Sequence, residues 1–149
     1  MERYGWTLLF HDAIVDQLGR LKSASDRAQA AGLHDNANVR LFNALSKLIL
    51  EAVPQDPSRE EYRQGKTIGP EYAHWRRAKV GRRFRLFFRY DSRSKAIVYA
   101  WVNDENTLRS SGGRTDPHVV FRRMLERGNP SNDWENLIAA VSPDRIFTP

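Results

Sequence analysis

Apolar positions along the chain alternate between a two-residue beat and a helical one, and the switches mark out the elements. Residues 4–10, Tyr-Gly-Trp-Thr-Leu-Leu-Phe, read as a first strand. Asp12 then stands where a helix N-cap is wanted, and Ile14, Val15, Leu18 and Leu21 follow at helical spacing until Gly32 stops the run. A second helix starts near Asp35–Asn38, carries Leu41, Leu45, Leu48 and Ala52 on one stripe, and ends at Pro54. Two helices joined by a short Gly-containing turn predict an antiparallel hairpin. Residues 54–73 are polar and rich in Pro and Gly, the composition of a loop.

The beat then becomes that of strands. Trp75–Val80, Arg83–Tyr90 and Lys95–Val102 read as three in succession, with turns at Gly81–Arg82 and Asp91–Ser94. A polar loop covers residues 103–115. Asp116 is a good N-cap with Pro117 at the first helical position, and this helix runs to about Arg127, closed by Gly128 and Pro130. A last short helix starts at Asp133 and buries Trp134, Leu137 and Ile138. The order β-α-α-β-β-β-α is an α+β plan, helices packed on a mainly antiparallel sheet.

Strand alternation fixes a register. Phe84, Leu86, Phe88 and Tyr90 share one face with Ala78 and Val80. Trp75, Arg77 and Lys79 share the other with Arg83, Arg85, Phe87 and Arg89. The faces stay in phase only if Lys79 pairs with Arg85 and Ala78 with Leu86, which requires an odd-numbered turn or a bulge. This pairing predicts a strongly basic sheet face interleaved with Trp75 and Phe87.

Charge sharpens that picture. The 149 residues carry a net charge of +6, but residues 63–95 hold eleven cations against two acids, +9, and the remainder is −3. Of the 24 cations 19 are Arg, the better residue for bidentate phosphate contacts and for stacking on bases. A basic face of this density fits a phosphate backbone, and its aromatic rings fit unpaired bases. The chain has no cysteine, which excludes disulfides, a thiol nucleophile and every cysteine-ligated metal site. Met1–Phe10 has too short an apolar run for a signal peptide or membrane span, so a cytoplasmic protein of a bacterium-like cell is expected. One domain, residues 1–149, suits the length.

Asn103, Asp104, Glu105 and Asn106 form a polar string at a strand end, a common place for function, and His118 sits on the first turn of the next helix. A metal held by Asp104, Glu105, Asp116 and His118 is disfavoured by diffuse spacing, so no metal or cofactor is expected. Two classes remain open on these residues: an enzyme acting on nucleic acid, and a non-catalytic nucleic-acid-binding module or co-repressor subunit.

The run Gly65-Lys66…Trp75-x-Arg77-x-Lys79-x-Gly81…Arg83-x-Arg85-Leu-Phe-Phe-Arg-Tyr90 resembles the YhaV family of toxins. So does Trp101-x-Asn-Asp-Glu-Asn-Thr-Leu-Arg109…Thr115-Asp116…Val-Phe121…Met-Leu-x-Arg-Gly128…Asp133-Trp134, and Gly5-Trp6 and His11 fit the N-terminal pattern. The resemblance spans about Gly5 to Leu137. It implies a RelE-like fold: a small mainly antiparallel sheet with an N-terminal helical hairpin and C-terminal helices. It implies the toxin of a type II toxin–antitoxin system, a ribonuclease that cleaves mRNA, helped by the ribosome, and arrests translation and growth. The partner implied is a PrlF-like antitoxin of AbrB-type fold, through which the complex binds its operator DNA.

The chemistry implied is metal-free transesterification to a 2′,3′-cyclic phosphate. Arg77, Lys79 and Arg85 are the expected cations at the phosphate, with Arg109 as a second clamp. Glu105 or His118 is the base or acid, and Asp104 and Asn106 orient the loop. Arg76, Arg82, Arg83, Arg89, Trp75 and Phe87 are expected to bind RNA. One departure stands out: family members carry Tyr where this chain has His118. That fits either an acid/base role for His118 or a position of no catalytic importance.

Overall fold

The computed structural model describes residues 1–64, 68–103 and 116–142. Its centre is a six-stranded, mostly antiparallel sheet with helices on both faces, a mixed α+β architecture. Strand β1 (Glu2–Arg3) turns through Tyr4 and Gly5, both left-handed at φ 52° and 83°, into β2 (Trp6–His11). Two left-handed residues are what a tight two-residue hairpin needs, so the expected strand over 4–10 is in fact a turn followed by a strand. The N-cap of helix α1 (Asp12–Ala30) is His11, not Asp12: the imidazole Nδ1 accepts the Ala13 N–H at 3.2 Å.

Helix α2 (Ala37–Lys47) is capped by Asn36 and packs against α1. It continues through a wide turn at Leu48–Ala52 into the single turn α3 (Val53–Gln55). In a regular helix the Pro54 ring would crowd the carbonyl four residues back; the wide turn lies at that place and carries the chain one residue past Pro54. Its Ile49 carbonyl accepts the buried Tyr99 hydroxyl at 2.8 Å.

Strands β3 (Arg76–Val80), β4 (Phe84–Asp91) and β5 (Ala96–Val102) follow, giving the order β1-β2-β5-β4-β3. The β3–β4 register is the one the alternation predicts, with Ala78 opposite Leu86 and Lys79 opposite Arg85. The turn that allows it has three residues, 81–83, with Gly81 left-handed at φ 61°. Strand β2 lies parallel to β5, and β6 (Val141–Ser142) adds antiparallel to β2. Helix α4 (Pro117–Glu126), capped by Asp116, and helix α5 (Trp134–Ala139), capped by Asp133, close the chain.

Two cores result. Leu8, Phe10, Ile14, Leu18, Leu45 and Ile49 pack on the sheet face of Leu86, Phe88, Ile97 and Tyr99. On the other face Trp75, Phe87, Val98 and Trp101 pack with Phe121, Leu125 and Leu137. A bulge in β5 makes the second core possible. Phe87 pairs with Trp101 and Phe88 with Tyr99, so Ala100 is an extra residue. It turns Trp101 to the Phe87 side, where Phe87, Phe121 and Trp101 stack. Among the described residues no helix is long and apolar enough to cross a membrane.

Candidate active site

The second core changes the reading of the basic face. Trp75 and Phe87 are fully buried beneath α4 and α5, so neither ring offers a face to a base, contrary to expectation. The Trp75 indole N–H instead donates to Asn132 Oδ1 at 3.0 Å. Arg89 is likewise engaged inside the protein. Its guanidinium lies over the rings of Trp134 and Trp75, at 5.0 and 5.9 Å, and donates to the Asn132 carbonyl at 2.8 Å. Arg76 projects from the opposite face to Arg77 and sits over the Tyr90 ring at 5.7 Å. Trp75, Arg89 and Phe87 brace the fold, while Arg76 is half-buried with its Nε unpartnered among the described residues.

What stays accessible lies toward the far end of β3 and β4. Arg77 is half-buried, Lys79 exposed, Arg85 half-buried, and Arg82 and Arg83 stand exposed on the turn. The Arg85 guanidinium donates to its neighbours' carbonyls, Phe84 at 2.9 Å and Arg82 at 3.3 Å. Burial lowers the Arg77 pKa, and the nearby Arg85 charge pushes it the same way. Arg77 Nε is buried with no hydrogen-bond partner among the described residues. An arginine held beside a second cation with a buried N–H left unpartnered is poised for an anion.

His118 completes this corner. Its ring meets Phe87 edge-to-face at 5.7 Å, and Phe87 is the cross-strand partner of Arg77. Asp116 Oδ1 accepts the His118 backbone N–H at 2.8 Å and lies 3.2 Å from its Nδ1. Burial holds the His118 pKa below its ordinary value. The Asp116 hydrogen bond opposes that, while Arg77 and Arg85 reinforce it. Its Nε2 is shielded from solvent and has no partner among the described residues.

The corner is fixed from behind by Asn103, which is buried at the end of β5. Its side-chain oxygen accepts the Arg85 N–H and its amide donates to the Arg83 carbonyl, locking the start of β4. From α1, Gln17 pairs twice with the Val102 backbone, donating to its carbonyl at 2.6 Å and accepting its N–H at 3.2 Å. Gln17 carried no signal in the sequence beyond a polar residue on an amphipathic helix. Asp116 read there as a cap and as a disfavoured metal ligand, although a capping carboxylate two residues before a His is within reach of its ring. Asp104, Glu105, Asn106 and Arg109 lie outside the described residues. Among the described residues, no three His, Asp or Glu side chains converge as metal ligands.

Comparison with known proteins is specific. A family model described as a toxin with endonuclease activity, of a toxin–antitoxin system, matches residues 8–142. "Ribonuclease toxin YhaV" of Escherichia coli strain K12 is 39% identical, with 89% of this chain and 90% of that protein covered. "Toxin YhaV" of Escherichia coli O157:H7 matches to the same extent. No solved structure matches the chain.

Proposed function

The chain belongs to the YhaV family of endonuclease toxins, whose setting includes an antitoxin partner, and from that premise we propose that it is a ribonuclease that cleaves mRNA and arrests growth. The observation that carries the reading is the corner of Arg77, Arg85 and His118, two guanidinium groups beside one half-buried imidazole, with Lys79 across the hairpin from Arg85. Transesterification of RNA needs this combination: a proton acceptor for the 2′-hydroxyl and fixed positive charge where the phosphorane becomes more negative. Arg77 and Arg85 would hold the scissile phosphate, Lys79 and the turn residues Arg82 and Arg83 the flanking backbone. Glu105 and Arg109 remain proposed acid/base and clamp residues, and Asp104 and Asn106 loop-orienting ones.

The proposal extends to the whole chain as a single RelE-like domain, α1 and α2 forming its helical hairpin, in a type II system of the cytoplasm. The antitoxin would be PrlF-like and would carry the complex to operator DNA. Cleavage would be metal-independent and take place on ribosome-bound mRNA.

Purified protein incubated with end-labelled RNA, with and without ribosomes and with EDTA, tests this. Fragments ending in 2′,3′-cyclic phosphate in the presence of EDTA are expected. Salt-dependent RNA binding with no cleavage in any arm would instead identify a binding module.

A further inference from the structure

Asp116 does more than cap a helix. Its Oδ1 is shared between the first-turn N–H and the His118 ring, and the imidazole nitrogen facing it is Nδ1, at 3.2 Å. A carboxylate accepts but does not donate, so in the neutral ring the proton belongs on Nδ1, where it makes this hydrogen bond. Nε2 then bears the lone pair. That atom is buried and has no hydrogen-bond partner among the described residues, and a buried acceptor without a donor is costly unless a ligand supplies one.

We propose that Asp116 is a positioning residue which holds His118 in the Nδ1–H form, so that Nε2 is the base that accepts the 2′-hydroxyl proton of RNA. The assignment rests on the ribonuclease reading above and assigns its open base role to one atom. The arriving hydroxyl gives Nε2 the hydrogen bond it lacks among the described residues. As the proton moves to Nε2, the 2′-oxygen bonds to the adjacent phosphorus. The bond from phosphorus to O5′ breaks, its electron pair leaves on O5′, and O5′ takes a proton from water. The imidazolium formed is stabilised by the Asp116 carboxylate, while Arg77 and Arg85 neutralise the phosphorane. Among the described residues, the groups facing the ring are Asp116 at its own helix start, Phe87 and Arg85 from β4, and Arg77 from β3.

Asp116→Asn separates positioning from capping, because Asn caps a helix as well as Asp does. The melting temperature should be retained. The kcat for RNA cleavage should fall roughly tenfold or more with KM little changed. The acidic limb of the pH–rate profile should move to lower pH, since the carboxylate that favours the imidazolium is gone. An unmoved limb or an unchanged kcat overturns the proposal. Long-range 15N–1H NMR correlations of the parent protein read the tautomer without any cleavage assay. Nδ1–H in the parent supports the proposal; Nε2–H in the parent overturns it. A parent protein that cleaves no RNA overturns the ribonuclease reading and the base role, and the NMR result still decides the Asp116–His118 pairing.

Discussion

Arg77 holds a half-buried charge with another cation, Arg85, close by and its Nε unpartnered among the described residues. A side chain placed so unfavourably for the fold should be dispensable to it. Arg77→Ala is therefore expected to melt at the parent temperature or above it, while growth arrest and RNA cleavage are lost. A variant that still arrests growth removes Arg77 from the site. Trp75 is the converse case. With its ring fully buried and edge-on to Phe121 at 5.1 Å, Trp75→Ala should cost about 3–5 kcal/mol in urea unfolding. If the only effect were weaker RNA binding at unchanged stability, the ring would be a stacking platform after all.

At the scale of elements, the β3–β4 hairpin was legible because one phase of pairing gathers Ala78, Val80, Phe84, Leu86, Phe88 and Tyr90 on one face. The error was to leave its second face to solvent. The corrective signal is Ala96–Val102, seven residues without one polar side chain, all buried in the structure. A strand of that kind is covered on both sides, so the neighbouring Phe87 and Trp75 are covered too. Strands β1 and β6, two residues each, are too short to show a period. The bulge at Ala100 leaves no mark in a run where every residue is apolar. Asn103 read as one polar residue of a string, yet it joins the end of β5 to β4 through its side chain as well as its backbone N–H, which donates to the Arg85 carbonyl. Asn103→Ala strands the Arg85 N–H and the Arg83 carbonyl. It should cost about 1–3 kcal/mol of stability and lower activity by loosening Arg85, whereas no change in either would show the clamp to be redundant.

For the molecule as a whole, three histidine titrations and a field matter. Burial lowers the pKa of His11, His74 and His118 in the folded state. The unfolded chain thus binds more protons between those lowered values and about pH 6.5. Stability is fully present above that range and declines as pH falls through it. The urea midpoint should be lower at pH 5.5 than at pH 7.5; a flat or rising midpoint would show that the histidines do not govern this window. The cations at the corner should also make RNA affinity steeply salt-dependent. With about four phosphates neutralised, the logarithm of the binding constant should fall against the logarithm of salt with a slope of about −3. A slope near zero would place the basic residues elsewhere in function.

The parallel pairing of β2 with β5 joins residues 7–10 to residues 96–99. This contact sits in the middle of the sheet, and a loop of most of the chain must close before it forms. During synthesis, β2 waits without its partner until β5 has been made, and the β4 strand that carries Arg85 pairs with that same β5. A growing chain therefore cannot assemble the corner early. If the corner carries the activity, newly made protein acquires it only once β5 and α4 have been made and placed, an order set by topology rather than by any inhibitor.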